Sequence, residues 1–357
     1  MLSSSVAQSA SDVVSHNYPQ KAKKATRPRS IKSFPRFYSG CIPALSAIFL
    51  DVMHYHFRQV ATLAWLLVCV LPSAALAKVP VFVSIFPQRY FVEQVGGEHV
   101  DVQVMVLPGA SPTTYEPKSR QMAAIAKAKI YFSMGVPFEA VWLEKIVAFN
   151  KSLRVVPMDR GIQKRAMASF HSHEEKEQHA GGRTISHNAG ETIQHAIPDP
   201  HVWLSPPLVI LQARTILVAL QDIDPENGSA YETNFRTFIL QVLELDKELR
   251  RLLKPHHGQR FMVFHPAWGY FADTYHLEQI PVEMEGKTPK PAQLKALITN
   301  ARKHRIKVLF LQPQASAKIA EQVAKEIGAQ VAWADPLALD WAENLRAVAG
   351  KFRQAME

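Results

Sequence analysis

Between residues 79 and 158, short runs of β-branched and aliphatic residues alternate with stretches of helical spacing. VPVFVSIF at 79–86 and VDVQVMVL at 100–107 are bounded by Pro or Gly and read as buried strands. A helical stretch lies between them around Tyr90 to Val95. KSRQMAAIAKAK at 118–129 has helical spacing and leads into IYFSMG, and FEAVWLEKIVAFN is helical and leads into LRVVPM. The order β, α, β, α, β, α, β predicts a parallel sheet with covering helices.

Residues 166–197 break this pattern, being rich in charge and glycine and poor in large apolar residues, as a flexible loop is. Helical periodicity returns at 206–222 and at 229–253, where apolar positions run Phe235, Phe238, Ile239, Val242, Leu243, Leu245, Leu249 and Leu252 and Pro255 ends the helix. The strand-helix alternation then restarts: RFMVFHP at 260–266, a helix, EQIPVEM, a helix over 291–303, KVLFLQP, a helix over 316–327, QVAWADP and a last helix near 341–355. The pattern predicts an α/β protein of two parallel-sheet lobes, 78–226 and 256–357, joined by one long helix over 227–255. That helix has only Gly228 at its edge and no internal Pro, so it resists bending and predicts a small closure between the lobes.

Composition adds a compartment. The 357 residues are 47% apolar and 20% charged, as in an ordinary globular protein. Residues 1–77 hold eight Lys or Arg and two Asp or Glu of a chain with net charge +10, leaving 33 basic against 29 acidic residues in the other 280. The body is nearly balanced and carries no sign of a nucleic-acid partner. From Met53, MHYHFRQVATLAWLLVCVLPSAALA combines the basic Arg58, an apolar core over 60–71 and the small-x-small site Ala75-Leu76-Ala77. This is the pattern of a secretory signal peptide cleaved after Ala77, and its apolar run is too short for a membrane-crossing helix. The basic, Ser-rich residues 1–52 precede it at an unusual distance, which points to translation from Met53 or to an extended leader. In both cases the exported chain contains neither Cys41 nor Cys69, and disulfides and cysteine metal sites are excluded.

The candidate chemistry sits in loops that follow strands, where open parallel sheets place their ligands. PGASPTTYEP (108–117), DPHVWLSP (199–206), FHPAWGYF (264–271) and ADPLA (334–338) each hold an uncommon polar residue beside Pro. His201, His265 and Asp335 can converge from both lobes into an N/O site of the kind Zn²⁺ accepts. Taken singly, His265 also suits a hydrogen-bonded core histidine, Asp335 a helix N-cap and His201 a turn. No Gly-x-Ser-x-Gly elbow, Gly-x-Gly-x-x-Gly or Walker loop follows a strand.

These residues carry a resemblance. VSIFP, PGASPTTYEP, MGVPFEAVWLEKI, the His-rich acidic loop, DPHVWLSP, the helix containing YETNF, FHPAWGYFADTY, EGKTPKPAQL, FLQPQAS and ADPLA occur in this order over residues 79–357. In this the chain resembles the metal-binding solute receptors of bacterial ABC transporters, the cluster A-I group, and most closely its zinc-uptake, ZnuA-like branch. The resemblance implies a periplasmic monomer that takes Zn²⁺ as its transported ligand and hands it to an ABC permease with its ATPase at the inner membrane. It maps three of the family's ligands onto His201, His265 and Asp335, and His265 sides with zinc where the manganese branch tends to have a carboxylate. The family's first histidine falls on Thr113, so the fourth corner is left to a water, to Glu116, or to a loop histidine among His171, His173, His179, His187 and His195. Two other functions fit the same residues: a zinc hydrolase with three ligands and an open water, and a manganese receptor or adhesin of the same fold. The chain lacks a His-Glu-x-x-His motif that would tie a general base to the metal, and the reading is a receptor, not an enzyme.

Overall fold

The computed structural model describes residues 53–60, 77–168, 197–283, 290–315 and 317–357. The chain divides into two units, 1–74 and 75–357. In the first, the described residues 53–60 are helical, and residues 61–76 of the expected signal peptide lie outside the described residues. So do the histidines of the loop, His171, His173, His179, His187 and His195.

The second unit holds two four-stranded parallel sheets. The amino-terminal lobe runs β1 (Val79–Val83), α1 (Phe86–Gly96), β2 (Val100–Val104), α2 (Ser119–Ile125), β3 (Ile130–Ser133), α3 (Pro137–Phe149) and β4 (Arg154–Pro157), followed by α4 (Pro206–Ile223). The long α5 (Gly228–Leu253) leads to β5 (Arg260–Val263), α6 (Gly269–Thr274), β6 (Glu278–Pro281), α7 (Pro291–Lys303), β7 (Val308–Leu311), α8 (Ala317–Ile327), β8 (Gln330–Trp333) and α9 (Trp341–Met356). The strand orders are β2-β1-β3-β4 and β6-β5-β7-β8, the same topology twice. In each, the chain leaves the inner strand, β1 or β5, pairs outward on one side and then returns to the other side. Two crevices therefore open at strand carboxyl ends, at the topological switch points where α/β sheets bind ligands.

The alternation of side chains along the strands of the second lobe assigns its two faces. Phe261, Val263 and Phe310 enter the larger core, while Met262, Phe264, Leu309 and Leu311 enter a second cluster with Leu297 and Val323 under α7 and α8. The larger core continues through both lobes, from Val81 and Phe132 to Trp268 and Phe352. α5 buries Tyr231, Phe238, Val242, Leu245, Leu249 and Leu253, one helical stripe, and packs against α1, α4 and α9. Leu243, an apolar position of the predicted stripe, is exposed instead, because it lies on the opposite side from Leu245 and Leu249. Two indoles stitch the lobes at the same level. Trp203 Nε1 donates to Pro336 O at 2.7 Å, and Trp341 Nε1 donates to Trp203 O at 2.8 Å.

Candidate metal centre

Because every strand is parallel, the loops after β2, β3, β5, β6, β7 and β8 share the ends of the two sheets that carry the motifs. They enclose a cavity of about 540 Å³ lined by Thr113, Pro137, His201, His265, Glu283 and Gln314 among others. His265 stands two residues past the inner strand β5 and Glu283 two past its neighbour β6, the edge strand of the second lobe. His201 reaches the cavity from the 199–204 segment, whose Pro200-to-Leu204 turns bury Val202, Trp203 and Leu204 and so turn the imidazole toward the sheet ends.

The two imidazoles meet across the lobes, with ring centroids 5.3 Å apart and planes at 69°. Each is held from behind by a carboxylate on the same ring nitrogen. His201 Nδ1 lies 2.7 Å from Asp199 Oδ1, and His265 Nδ1 lies 2.7 Å from Glu283 Oε2. A carboxylate there accepts a hydrogen bond from Nδ1–H, which keeps the proton on Nδ1 and leaves the Nε2 lone pair to bind a metal. Asp199 also accepts the backbone N–H of His201 at 3.0 Å, so one oxygen fixes both backbone and ring. His201 is only 8% exposed. Burial pushes its pKa below the ordinary imidazole value, against the pull of Asp199 and with help from His265 and Lys164. A ring that resists protonation stays a ligand to lower pH.

Asp199 is itself the centre of a support. Its side chain is 1% exposed, with Arg165 Nε at 3.9 Å from Oδ2. Arg165 in turn ties the lobes together: its backbone N–H donates to the Tyr270 hydroxyl at 3.0 Å, and that hydroxyl donates to Asp199 O at 3.1 Å. Gly269 suits this packing, since a Cβ there would come within 2.9 Å of Arg165 Nη1 and 3.1 Å of Asp199 Oδ2 and would displace the guanidinium. An antiparallel bridge between Ala166 and Pro198, with Asp199 N donating to Arg165 O at 2.9 Å, closes the base of the His-rich segment beside this support.

Asp335 is placed differently. It lines an adjoining cavity of about 280 Å³ that shares only Gln314 and Leu337 with the first, and its Oδ1 accepts Leu337 N at 2.9 Å and Gln314 Nε2 at 3.4 Å. Among the described residues no group of three His, Cys, Asp or Glu side chains is gathered tightly enough to hold a metal ion. Thr113 lines the first cavity and is exposed, whereas Glu116 is exposed outside its lining. Asp199, Glu283, Gln314 and Arg165 were not singled out by sequence. The Asp two residues before His201 was a readable signal, because Asx side chains bond backbone N–H groups two residues on. Glu283, which lies 18 residues from His265, had none.

A family model described as ZnuA, zinc-uptake complex component A, periplasmic, matches residues 81–355. The chain belongs to this family. The ZnuA high-affinity zinc-uptake protein of Bacillus subtilis is 31% identical over 258 residues, covering 71% of this chain and 76% of that one. The zinc-binding protein AdcA of Streptococcus pyogenes is 27% identical over 278 residues, of which the chain spans 53% of AdcA's length. A crystal structure of ZnuA superimposes with a TM-score of 0.69 at 39% identity, covering 78% of this chain and all of that one. The two-lobe parallel architecture predicted from periodicity is thus the ZnuA fold, and the ZnuA family is one of substrate-binding transport components.

Proposed function

We propose that this chain is a receptor that captures Zn²⁺ outside the inner membrane and delivers it to an ABC permease driven by its ATPase. The observation that carries the reading is the pair of imidazoles from opposite lobes, each backed by a carboxylate at Nδ1. Their Nε2 atoms supply two nitrogen ligands, and neutral imidazole suits the borderline-soft Zn²⁺ better than a manganese ion. Asp335 supplies the carboxylate when its loop leaves Leu337 N and Gln314, and Thr113 marks the corner that water or a loop histidine completes. Four ligands drawn from separate loops of two lobes let the ion fasten the cleft when it binds and free it when the permease separates the lobes. Export proceeds through the 53–77 segment, and the lobes of 78–226 and 256–357 work about the 227–255 helix.

Zinc titration of the exported chain by calorimetry tests the site, with Lys78 expected as the first residue of that chain. His201→Ala and His265→Ala should each weaken binding by at least about tenfold, the lower end of what loss of a ligand's hydrogen-bonding partner alone costs. Thr113→His should tighten it. Two histidine variants that bind as tightly as the wild type would remove the chemical basis of the reading.

A further inference from the structure

A second imidazole pair stands at the other end of the carboxyl-terminal sheet. His257 precedes β5 and His276 precedes β6, at the amino ends of the strands whose carboxyl ends lead to His265 and Glu283. Both side chains are exposed, and their ring centroids are 4.7 Å apart with planes at 63°. That is nearly the disposition of His201 and His265 in the cleft. Two imidazoles on one tetrahedral ion, each with its nitrogen about 2.0–2.1 Å from the metal, have ring centres about 5 Å apart.

The pair is held by its backbone. Gly258 N donates to His276 O at 2.7 Å and Glu278 N donates to Gln259 O at 2.9 Å, so the two segments are stitched together directly after the histidines, where they enter β5 and β6. His276 has φ 55°, in the left-handed region that glycine enters freely and a side chain disfavours. The chain thus keeps a histidine where its backbone favours glycine. Arg260, at the start of β5, has its charge met by Glu278 at 2.6 Å and its Nη1 beside His304 Nδ1 at 2.8 Å.

We propose that His257 and His276 form a second metal site, in which two neutral imidazoles chelate a divalent late transition metal such as Zn²⁺ and water completes the coordination. Two protein ligands on an open surface bind more weakly than a buried cleft, so the site fills only after the cleft. The prearranged pair lowers the ordering cost that a chelate on mobile side chains would meet. It does not depend on the cleft residues.

The test is calorimetric titration of the full chain with zinc chloride alone. His257→Gln and His276→Gly should each lose the same single weak equivalent, and the double variant should lose no more than that one. His265→Ala should retain it. Anomalous scattering at the zinc edge should place an ion between the two rings in the wild type. Unchanged stoichiometry in the variants, or a double variant that loses two equivalents as independent single-histidine sites would, overturns the proposal. His276→Gly removes an unfavourable φ and should leave the fold intact. Should it fail to fold, His257→Gln carries the test alone.

Discussion

At the residue scale the cleft depends on the atoms behind its ligands as much as on the ligands. Asp199 and Glu283 perform one task on opposite lobes, each holding an imidazole by Nδ1. They differ in burial: Asp199 has a side chain 1% exposed and Glu283 one 18% exposed. Asp199→Ala and Glu283→Ala should each weaken zinc binding about 10- to 100-fold by freeing a ring to rotate. Asp199→Ala should also cost about 1–3 kcal/mol of stability, because the buried N–H of His201 loses its acceptor. Glu283→Ala should leave urea unfolding nearly unchanged. Wild-type affinity in both variants would mean that the rings are oriented by packing alone.

At the scale of the element, the start of α3 shows how a loop on the cavity is held. Glu139, in the first turn, folds back so that its carboxylate accepts Met134 N at 2.9 Å and Gly135 N at 2.8 Å. Ser84 at the end of β1 donates to the same carboxylate and lies 2.8 Å from the Tyr131 hydroxyl. The loop so fixed leads into Val136 and Pro137 on the cavity wall. Burial pushes the Glu139 carboxyl above its ordinary value of 4.5, outweighing the three hydrogen bonds that favour the anion. A carboxyl whose folded pKa is raised binds more protons in the native state than in the unfolded one. Its contribution is therefore full below about pH 4.5 and is lost as pH rises through the folded value. The unfolding free energy of the wild type relative to Glu139→Gln should fall between pH 4 and pH 7, read from urea denaturation. A difference that rises over that interval would reverse the sign of the shift.

At the scale of the molecule, two sheets that look like two domains share one core. The larger cluster runs from Val81 to Phe352, α5 packs on α1 and α4 of one lobe and α9 of the other, and the Trp203 and Trp341 bonds cross the same boundary. Residues 75–357 should therefore unfold in one cooperative transition, with tryptophan fluorescence and far-ultraviolet circular dichroism coincident. Trp203→Phe should lower the whole transition by about 2–4 kcal/mol, from the cavity and the unpaired Pro336 carbonyl together. Two separate transitions would show that the lobes are independent. The same continuity should restrict closure to a small movement about α5, to be read as a small change in radius of gyration by X-ray scattering on zinc addition.

Periodicity alone determined the elements, because a parallel strand buried on both faces and an amphipathic helix are written in local spacing. The helix over 291–303 was read to the residue, and α5 from 229 to 253 to within one. That His201 and His265 line one cavity was legible from their loops, because loops at the carboxyl ends of parallel strands gather at one end of a sheet. Only the tertiary structure decided the partner of His265. Glu283 reaches His265 because β5 and β6 pair in register, Arg260 beside Glu278 through Val263 beside Pro281, and this alignment carries the residues two past each strand side by side. Asp335 went elsewhere for a similar reason. A carboxylate two residues before Leu337 finds that N–H first, and a local hydrogen bond held its side chain away from the pair of rings that its loop approaches.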